Sequence, residues 1–238
     1  MRAILLAAGF GTRLRPLTET VPKCLVPING KPLLGIWLDK LSAEGFGPFL
    51  VNTHYLAEKV AQFMSNHTMS ALTTLVYEPI LLGTAGTFLA NADFYQGGDG
   101  LIVHADNYCL ADLRRLADAH RRRPAGCVMT MLTFHTRAPQ TCGIVEIDGR
   151  GVVTGFYEKV ENPPTNLANA AIYIISAEMI KELMTKMPNA TDFSTQVLCK
   201  FIRRIYTCPS DASMIDIGTP EAYAEANRWP IRPKYYLS

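Results

Sequence analysis

The sequence predicts an α/β protein built on a mixed, mostly parallel central sheet with helices packed on its faces. Three observations lead there. Short apolar runs alternate with amphipathic stretches through the first half of the chain, the second half carries apolar runs separated by tight turns, and a glycine-rich turn follows directly on the first apolar run. Repeated strand-helix-strand units require parallel strands covered by helices, and ligands then bind beyond the carboxyl ends of the strands.

The elements follow in order. Residues 2–8 read as a buried strand, since the run is too short for a membrane span and carries no cleavage-site pattern. Residues 32–44 read as a helix with Leu33, Leu34, Trp37, Leu38 and Leu41 on one face. A strand at 49–53, a helix at 56–64, a strand at 72–77 and a helix at 84–94 continue the alternation. An apolar run at 101–105 ends in Asp106, and a basic helix occupies about 113–123. The runs at 127–134, 143–147, 152–157 and 170–175 are separated by turns such as Asp148-Gly149, so antiparallel pairing is expected there. Helices at 177–187 and near 193–202, a strand near 213–217 and a closing helix at 220–227 capped by Thr219 complete the chain.

Composition narrows the function. A chain of 238 residues that is 48% hydrophobic can bury one large core, so a single domain with two lobes is expected, about 1–125 and about 126–238. The formal net charge is only +2, with Lys and Arg spread along the chain, which argues against nucleic-acid and membrane-surface partners and leaves small anionic substrates. The six cysteines form no C-x-x-C pair and no secretory signal precedes them, so reduced thiols in a cytoplasmic protein are expected. His54, His67, His104, His120 and His135 have no zinc-like spacing, and no G-x-S-x-G motif is present.

The most informative segment is L-A-A-G-F-G-T-R-L-R-P-L-T at 6–18, followed by P-K-C-L-V-P-I-N-G-K-P-L at 22–33. A strand running into Gly9-Phe10-Gly11-Thr12 gives a turn whose backbone can approach a ligand and turn N–H groups toward phosphate oxygens. Arg13, Arg15 and Lys23 put positive charge beside it. Two familiar phosphate loops do not fit. The dinucleotide fingerprint needs a small residue where Leu14 stands and an acid near Pro32, Leu33 and Leu34, and the Walker pattern is broken by Pro32 after Gly30-Lys31.

Two aspartates stand far apart in the chain. Asp106 follows an apolar strand, where an α/β site lies, and Asp216 sits on an apolar strand just before the last helix, in I-D-I-G-T-P. Burying a carboxylate without a partner is costly, and a Mg²⁺ ion shared by Asp106 and Asp216 resolves that, because Mg²⁺ takes one or two carboxylates together with substrate phosphates. Separate turn-forming and capping aspartates are the alternative.

The loop with its downstream Pro22-Lys23 resembles the signature of the sugar-1-phosphate nucleotidyltransferases, the family of mannose-1-phosphate and manno-heptose-1-phosphate guanylyltransferases and their uridylyl and thymidylyl relatives. The resemblance implies a Rossmann-like, GT-A-like α/β/α sandwich. It further implies that Leu6, Ala8, Gly9, Gly11 and Thr12 contact the nucleotide, Arg13 the leaving pyrophosphate and Lys23 the α-phosphate. Leu82-Gly83-Thr84-Ala85-Gly86-Thr87, preceded by Glu78, is similar to the base- and ribose-contacting segment in its guanylyltransferase form. Asp106 and Asp216 match the family's metal positions.

On the sugar side, Gly143 in C-G-I-V-E, Glu158-Lys159 in Y-E-K-V, Asn169 in N-A-A-I-Y and Asn107 resemble the family's sugar-phosphate contacts, with Ala171 standing where many relatives have Gly. Lys159 would offer a point charge to the phosphate, Glu158 and Asn169 would bond hydroxyls, and Gly143 would let backbone come close. The resemblance implies transfer of a nucleotide from GTP to a manno-configured sugar 1-phosphate, manno-heptose first and mannose second, for surface glycan or capsule synthesis. The chain ends soon after the last helix, so no appended β-helix domain is expected, and a homo-oligomer is compatible with the reading. An inactive nucleotide-sugar sensor would lack Arg13, Lys23, Asp106 or Asp216, and all four are present.

Overall fold

The computed structural model describes residues 1–229. In chain order it contains β1 (Ala3–Leu6), β2 (Pro27–Ile28), β3 (Lys31–Pro32), α1 (Leu33–Ala43), β4 (Phe49–Thr53), α2 (Ala57–Ser65), β5 (Thr73–Tyr77), α3 (Gly83–Ala90) and β6 (Gly100–His104). It continues with β7 (Asn107–Cys109), α4 (Leu113–Arg121), β8 (Met129–His135), β9 (Gly143–Ile147), β10 (Val153–Glu158), β11 (Leu167–Ile175), α5 (Ala177–Lys186), β12 (Ile205–Pro209), β13 (Met214–Asp216) and α6 (Pro220–Ala226).

These elements gather into two compact units that interleave along the chain. The first takes Met1–Leu81, His104–Leu110 and the described residues from Ser213 on, and the second takes Leu82–Val103 and Ala111–Ala212. The units therefore do not divide near residue 125, and residues 230–238 of the expected second lobe lie outside the described residues.

In the first unit β1, β4 and β5 pair in parallel, with Ala3 opposite Phe49 and Phe49 opposite Thr73. All four residues of β1 and all five of β4 are buried, as a parallel strand covered on both faces requires. Helix α1 has no side-chain cap at Pro32, a loss of about 1 kcal/mol against a good cap. Leu33, Leu34, Trp37, Leu38 and Leu41, all at most 1% exposed, outweigh it, since each buried apolar side chain contributes about 1.5–3 kcal/mol. Helix α6 is fixed by Thr219, whose hydroxyl accepts the Ala222 N–H as its sequence position suggested.

The second unit is largely antiparallel. β11 pairs with β6, β8 and β9, β9 pairs with β10, and only β12 joins β8 in parallel. Its core holds Ile102, Met129, Met131, Ile172, Ile174, Met179 and Leu183. The helix expected near 193–202 is instead a π-turn, Phe193–Val197, followed by a 3-10 turn, Leu198–Lys200. Asp192 caps this segment through Thr195 N–H, and the Gln196 side chain takes the Thr191 N–H. None of the six cysteines is paired with another. Among the described residues no helix is long and apolar enough to cross a membrane.

Candidate active site

In the first unit β1 ends at Leu6 and the glycine turn begins. The Ala7 N–H donates to Asn52 Oδ1 at 2.7 Å, and Asn52 Nδ2 donates to Glu78 Oε1 at 2.9 Å. Glu78 is thus a buried support that ties three parallel strand ends together. Asn52 belongs to no motif, and its one signal in the sequence is a polar side chain following the apolar residues of F-L-V-N-T.

Beyond the buried Ala8, Gly9 is exposed with no atom within 4 Å of where its Cβ would stand. Gly11 adopts φ +64, and a Cβ there would meet Thr18 Cγ2 at 3.0 Å and Lys23 Cβ at 3.1 Å. Both the backbone hand and the space select glycine. Thr18, fully buried, closes the turn by donating its hydroxyl to the Gly11 carbonyl at 2.7 Å. Thr12 and Arg13 remain exposed, while Leu14 anchors the short turn Thr12–Leu14 in the core.

Asp106 and Asp216 are brought together by an element that sequence periodicity does not reveal. β7 and β13 form a two-stranded antiparallel ribbon in which Asn107 lies opposite Asp216. Trp37 of α1 clamps it, the indole N–H donating to the Asn107 carbonyl at 2.7 Å, and the Ala105 N–H donates to the Leu6 carbonyl at 3.0 Å. Asp106 therefore follows directly on a residue tied to the end of β1.

Lys23 Nζ lies 2.8 Å from Asp106 Oδ2 and 2.7 Å from Asp216 Oδ1, and Arg13 Nη2 lies 3.4 Å from Asp216 Oδ2. Gly218 makes room for this, since a Cβ there would stand 2.7 Å from Arg13 Nη2 and 3.0 Å from Asp216 Oδ1. One expectation is corrected. Asp216 is not buried on its strand; the three-residue ribbon is too short to be covered, and the Asp216 side chain is 48% exposed. Its neutralising partner is the Lys23 side chain, which is only 7% exposed.

Burial alone would pull the Lys23 ammonium down, but the two carboxylates outweigh it and hold it above its ordinary value. Burial pushes the Asp106 carboxyl up, and Lys23 with His104 reverses this and holds it below the usual carboxylate range. The Asp106 contribution to stability is present above about pH 4 and is lost as pH falls through the lowered value. The Lys23 contribution is present up to about pH 10.5 and is lost as pH rises through the raised value. Urea unfolding of the protein and of Asp106→Asn across pH should therefore show a difference of about 1 kcal/mol that is constant near neutrality and shrinks below about pH 4. A difference that grows in acid would contradict the assignment.

Among the described residues no three His, Cys, Asp or Glu side chains gather as a metal-ligand cluster. The two carboxylates that meet at the Lys23 ammonium are oxygen donors of the type Mg²⁺ takes, so the residues present fit that ion.

The second unit carries the other predicted residues. Gly83 opens α3 at φ +76, the Ala85 N–H donates to the Thr191 carbonyl at 3.0 Å, and the Thr84 hydroxyl accepts the Phe193 N–H at 2.8 Å. Gly143 on β9 lies opposite Glu158 on β10, and Ala168 on β11 lies opposite Ile144, so Asn169, Gly143 and Glu158 are level across three adjacent strands. A Cβ on Gly143 would stand 2.7 Å from Glu158 Oε2, so the glycine lets that carboxylate fold over the central strand. Lys159 is exposed, with Nζ 3.4 Å from Glu158 Oε1.

A family model described as nucleotidyl transferase matches residues 2–230. Mannose-1-phosphate guanylyltransferase of Mycobacterium tuberculosis is 29% identical over 237 residues, 97% of this chain and 64% of that protein. The UTP–glucose-1-phosphate uridylyltransferase AglF of Haloferax volcanii is 28% identical over 233 residues, 96% of each chain. The crystal structure of HddC from Yersinia pseudotuberculosis superposes with a TM-score of 0.80 at 23% identity, over 95% of this chain and 98% of that one. This places the fold in the Rossmann-like α/β class. The chain spans about 64% of the length of the mycobacterial relative. Because the match runs from the start of β1 past the end of α6 and includes the loop, the lysine and both aspartates, the chain belongs to the nucleotidyl transferase family.

Proposed function

We propose that the protein joins a nucleoside triphosphate to a sugar 1-phosphate, releasing pyrophosphate, with GTP and a manno-configured sugar 1-phosphate as the substrates. The observation that carries this reading is the convergence of Lys23, Asp106 and Asp216 on one point in the unit that holds the glycine turn. A mannose-1-phosphate guanylyltransferase among the relatives supports the guanine and manno choices, manno-heptose 1-phosphate being the longer sugar of the same configuration.

In this reading a sugar-phosphate oxygen attacks the α-phosphorus in line, one P–O bond forms, the α–β bridging bond breaks, and the electron pair leaves on pyrophosphate. The nucleophile is already an anion, so the residues have charge and position to supply rather than a strong base. The glycine turn receives the phosphates with its N–H groups, Arg13 draws off charge from the leaving pyrophosphate, and Lys23 neutralises the α-phosphate. Asp106 and Asp216 would hold Mg²⁺, which when bound supplies positive charge to the phosphate oxygens. Glu158, Lys159 and Asn169 of the second unit would hold the sugar phosphate.

The test is a pyrophosphate-release screen crossing GTP, UTP, dTTP, CTP and ATP with mannose, manno-heptose and glucose 1-phosphates, with and without Mg²⁺. Release should be greatest with GTP and a manno-sugar and should require Mg²⁺. Preferred turnover of UTP with glucose 1-phosphate would move the protein toward its uridylyltransferase relatives, and release with no pair would overturn the reading.

A further inference from the structure

We propose that Tyr173 is a positioning residue that holds the Asn169 amide, its polarity set by the Ala171 N–H, in place to present an N–H donor to a sugar hydroxyl; this rests on the sugar-phosphate reading above. The geometry lies wholly within the second unit. Asn169 Oδ1 accepts the Ala171 N–H at 2.9 Å, and Asn169 Nδ2 donates to the Tyr173 hydroxyl oxygen at 2.6 Å. Turning the amide over would set its NH₂ against the Ala171 N–H, donor against donor, so Ala171 fixes which end is which, and the Tyr173 hydroxyl, which can accept or donate, pins the Nδ2 end in place.

The backbone is bent to allow this. The register of β11 against β8 slips between Asn169 and Tyr173, and Ala171 within the slip adopts φ +54, a hand that a residue with a Cβ rarely takes. Strained backbone of this kind persists where surrounding contacts over-determine it. Tyr173 is itself packed in the core. It is 1% exposed and stacked on Phe193 with ring centroids 5.2 Å apart. Burial raises its pKa, so it remains a neutral phenol.

The consequence is a defined polarity. One amide hydrogen of Asn169 remains for a ligand, and Glu158, level with it two strands away, offers a carboxylate that only accepts. A hydroxyl satisfies both at once, giving its proton to Glu158 and taking the Asn169 N–H on its oxygen. A keto or deoxy centre satisfies only one or neither.

Steady-state kinetics with GTP and mannose 1-phosphate test this, using Tyr173→Phe, which keeps the ring and its stacking, beside Asn169→Ala. Tyr173→Phe should raise KM for mannose 1-phosphate about fivefold while leaving kcat, KM for GTP and the melting temperature nearly unchanged, and Asn169→Ala should raise the same KM at least as much. If Asn169→Ala raises it and Tyr173→Phe does not, the positioning role is overturned while the sugar site stands. If Asn169→Ala has no effect, the sugar-site reading fails and the inference with it. A Tyr173→Phe variant that weakens GTP and sugar alike, or melts well below the parent, has lost structure instead, which also overturns the inference.

Discussion

Replacing Lys23 by methionine is expected to lower kcat for pyrophosphate release about 10³-fold, equivalent to ~4 kcal/mol of transition-state stabilisation, with the fold retained. Methionine keeps the apolar stem that packs against the place of Gly11's absent Cβ, so the change removes the ammonium and little else. Asp106 and Asp216, with side chains 37% and 48% exposed, can turn to water once the ammonium is gone. The stability loss should therefore be about 1 kcal/mol, far below the catalytic effect. Rapid-quench measurement of the chemical step, paired with urea unfolding, separates the two. An unfolded variant, or one whose turnover falls less than tenfold, would show that Lys23 serves the fold and not the phosphate.

The largest stability effect is expected at the entrance to α3. Gly83→Ala places a Cβ 2.3 Å from the Thr191 carbonyl oxygen in a residue at φ +76, and that oxygen already accepts the Ala85 N–H. The left-handed backbone contributes about 1–2 kcal/mol of strain, and displacing a backbone carbonyl adds roughly 1–3. A total near 3 kcal/mol corresponds to about 6–12 °C in Tm for a chain of this size. Gly97→Ala is the matched control, with φ +74 and nothing within 4 Å of its Cβ, and it should lose only about 1–2 kcal/mol. Because the segment opening α3 is the proposed base contact, Gly83→Ala should also raise KM for GTP more than KM for the sugar phosphate. Equal losses in the two variants would show that the Thr191 contact yields easily.

Much of this was legible in the chain, for physical reasons that differ by element. The strand at 49–53 and α1 were readable because burial imposes the apolar start Phe49-Leu50-Val51 on one and a 3.6-residue stripe on the other. The glycine turn was readable because its backbone hand and the charges beside it are local in sequence. The β7–β13 ribbon was not. Its strand β13 falls within the run expected near 213–217, but β7 is three residues long and lies more than a hundred positions away, and nothing local marks their pairing. Without that pairing Asp216 falls in the far lobe and on a buried strand, whereas in the structure it closes onto Lys23 in the first unit. β12 was overlooked for a similar reason, a five-residue run ending in Pro209 just after a basic stretch. The locking of Asn169 by Tyr173 depends on a register slip opposite β8, which no single strand's sequence records.

In the proposed reaction Asp106 and Asp216 would act as one pair holding a single Mg²⁺ ion. Pyrophosphate release from GTP and mannose 1-phosphate, titrated with Mg²⁺ for the protein, Asp106→Asn, Asp216→Asn and the double variant, tests it most directly. Each single variant should lose at least about 10²-fold in kcat/KM and need more Mg²⁺ to saturate, and the double variant should be little worse than either, since residues that act as a unit are not additive. Turnover that survives loss of one aspartate, or losses that simply multiply in the double variant, would contradict a shared centre.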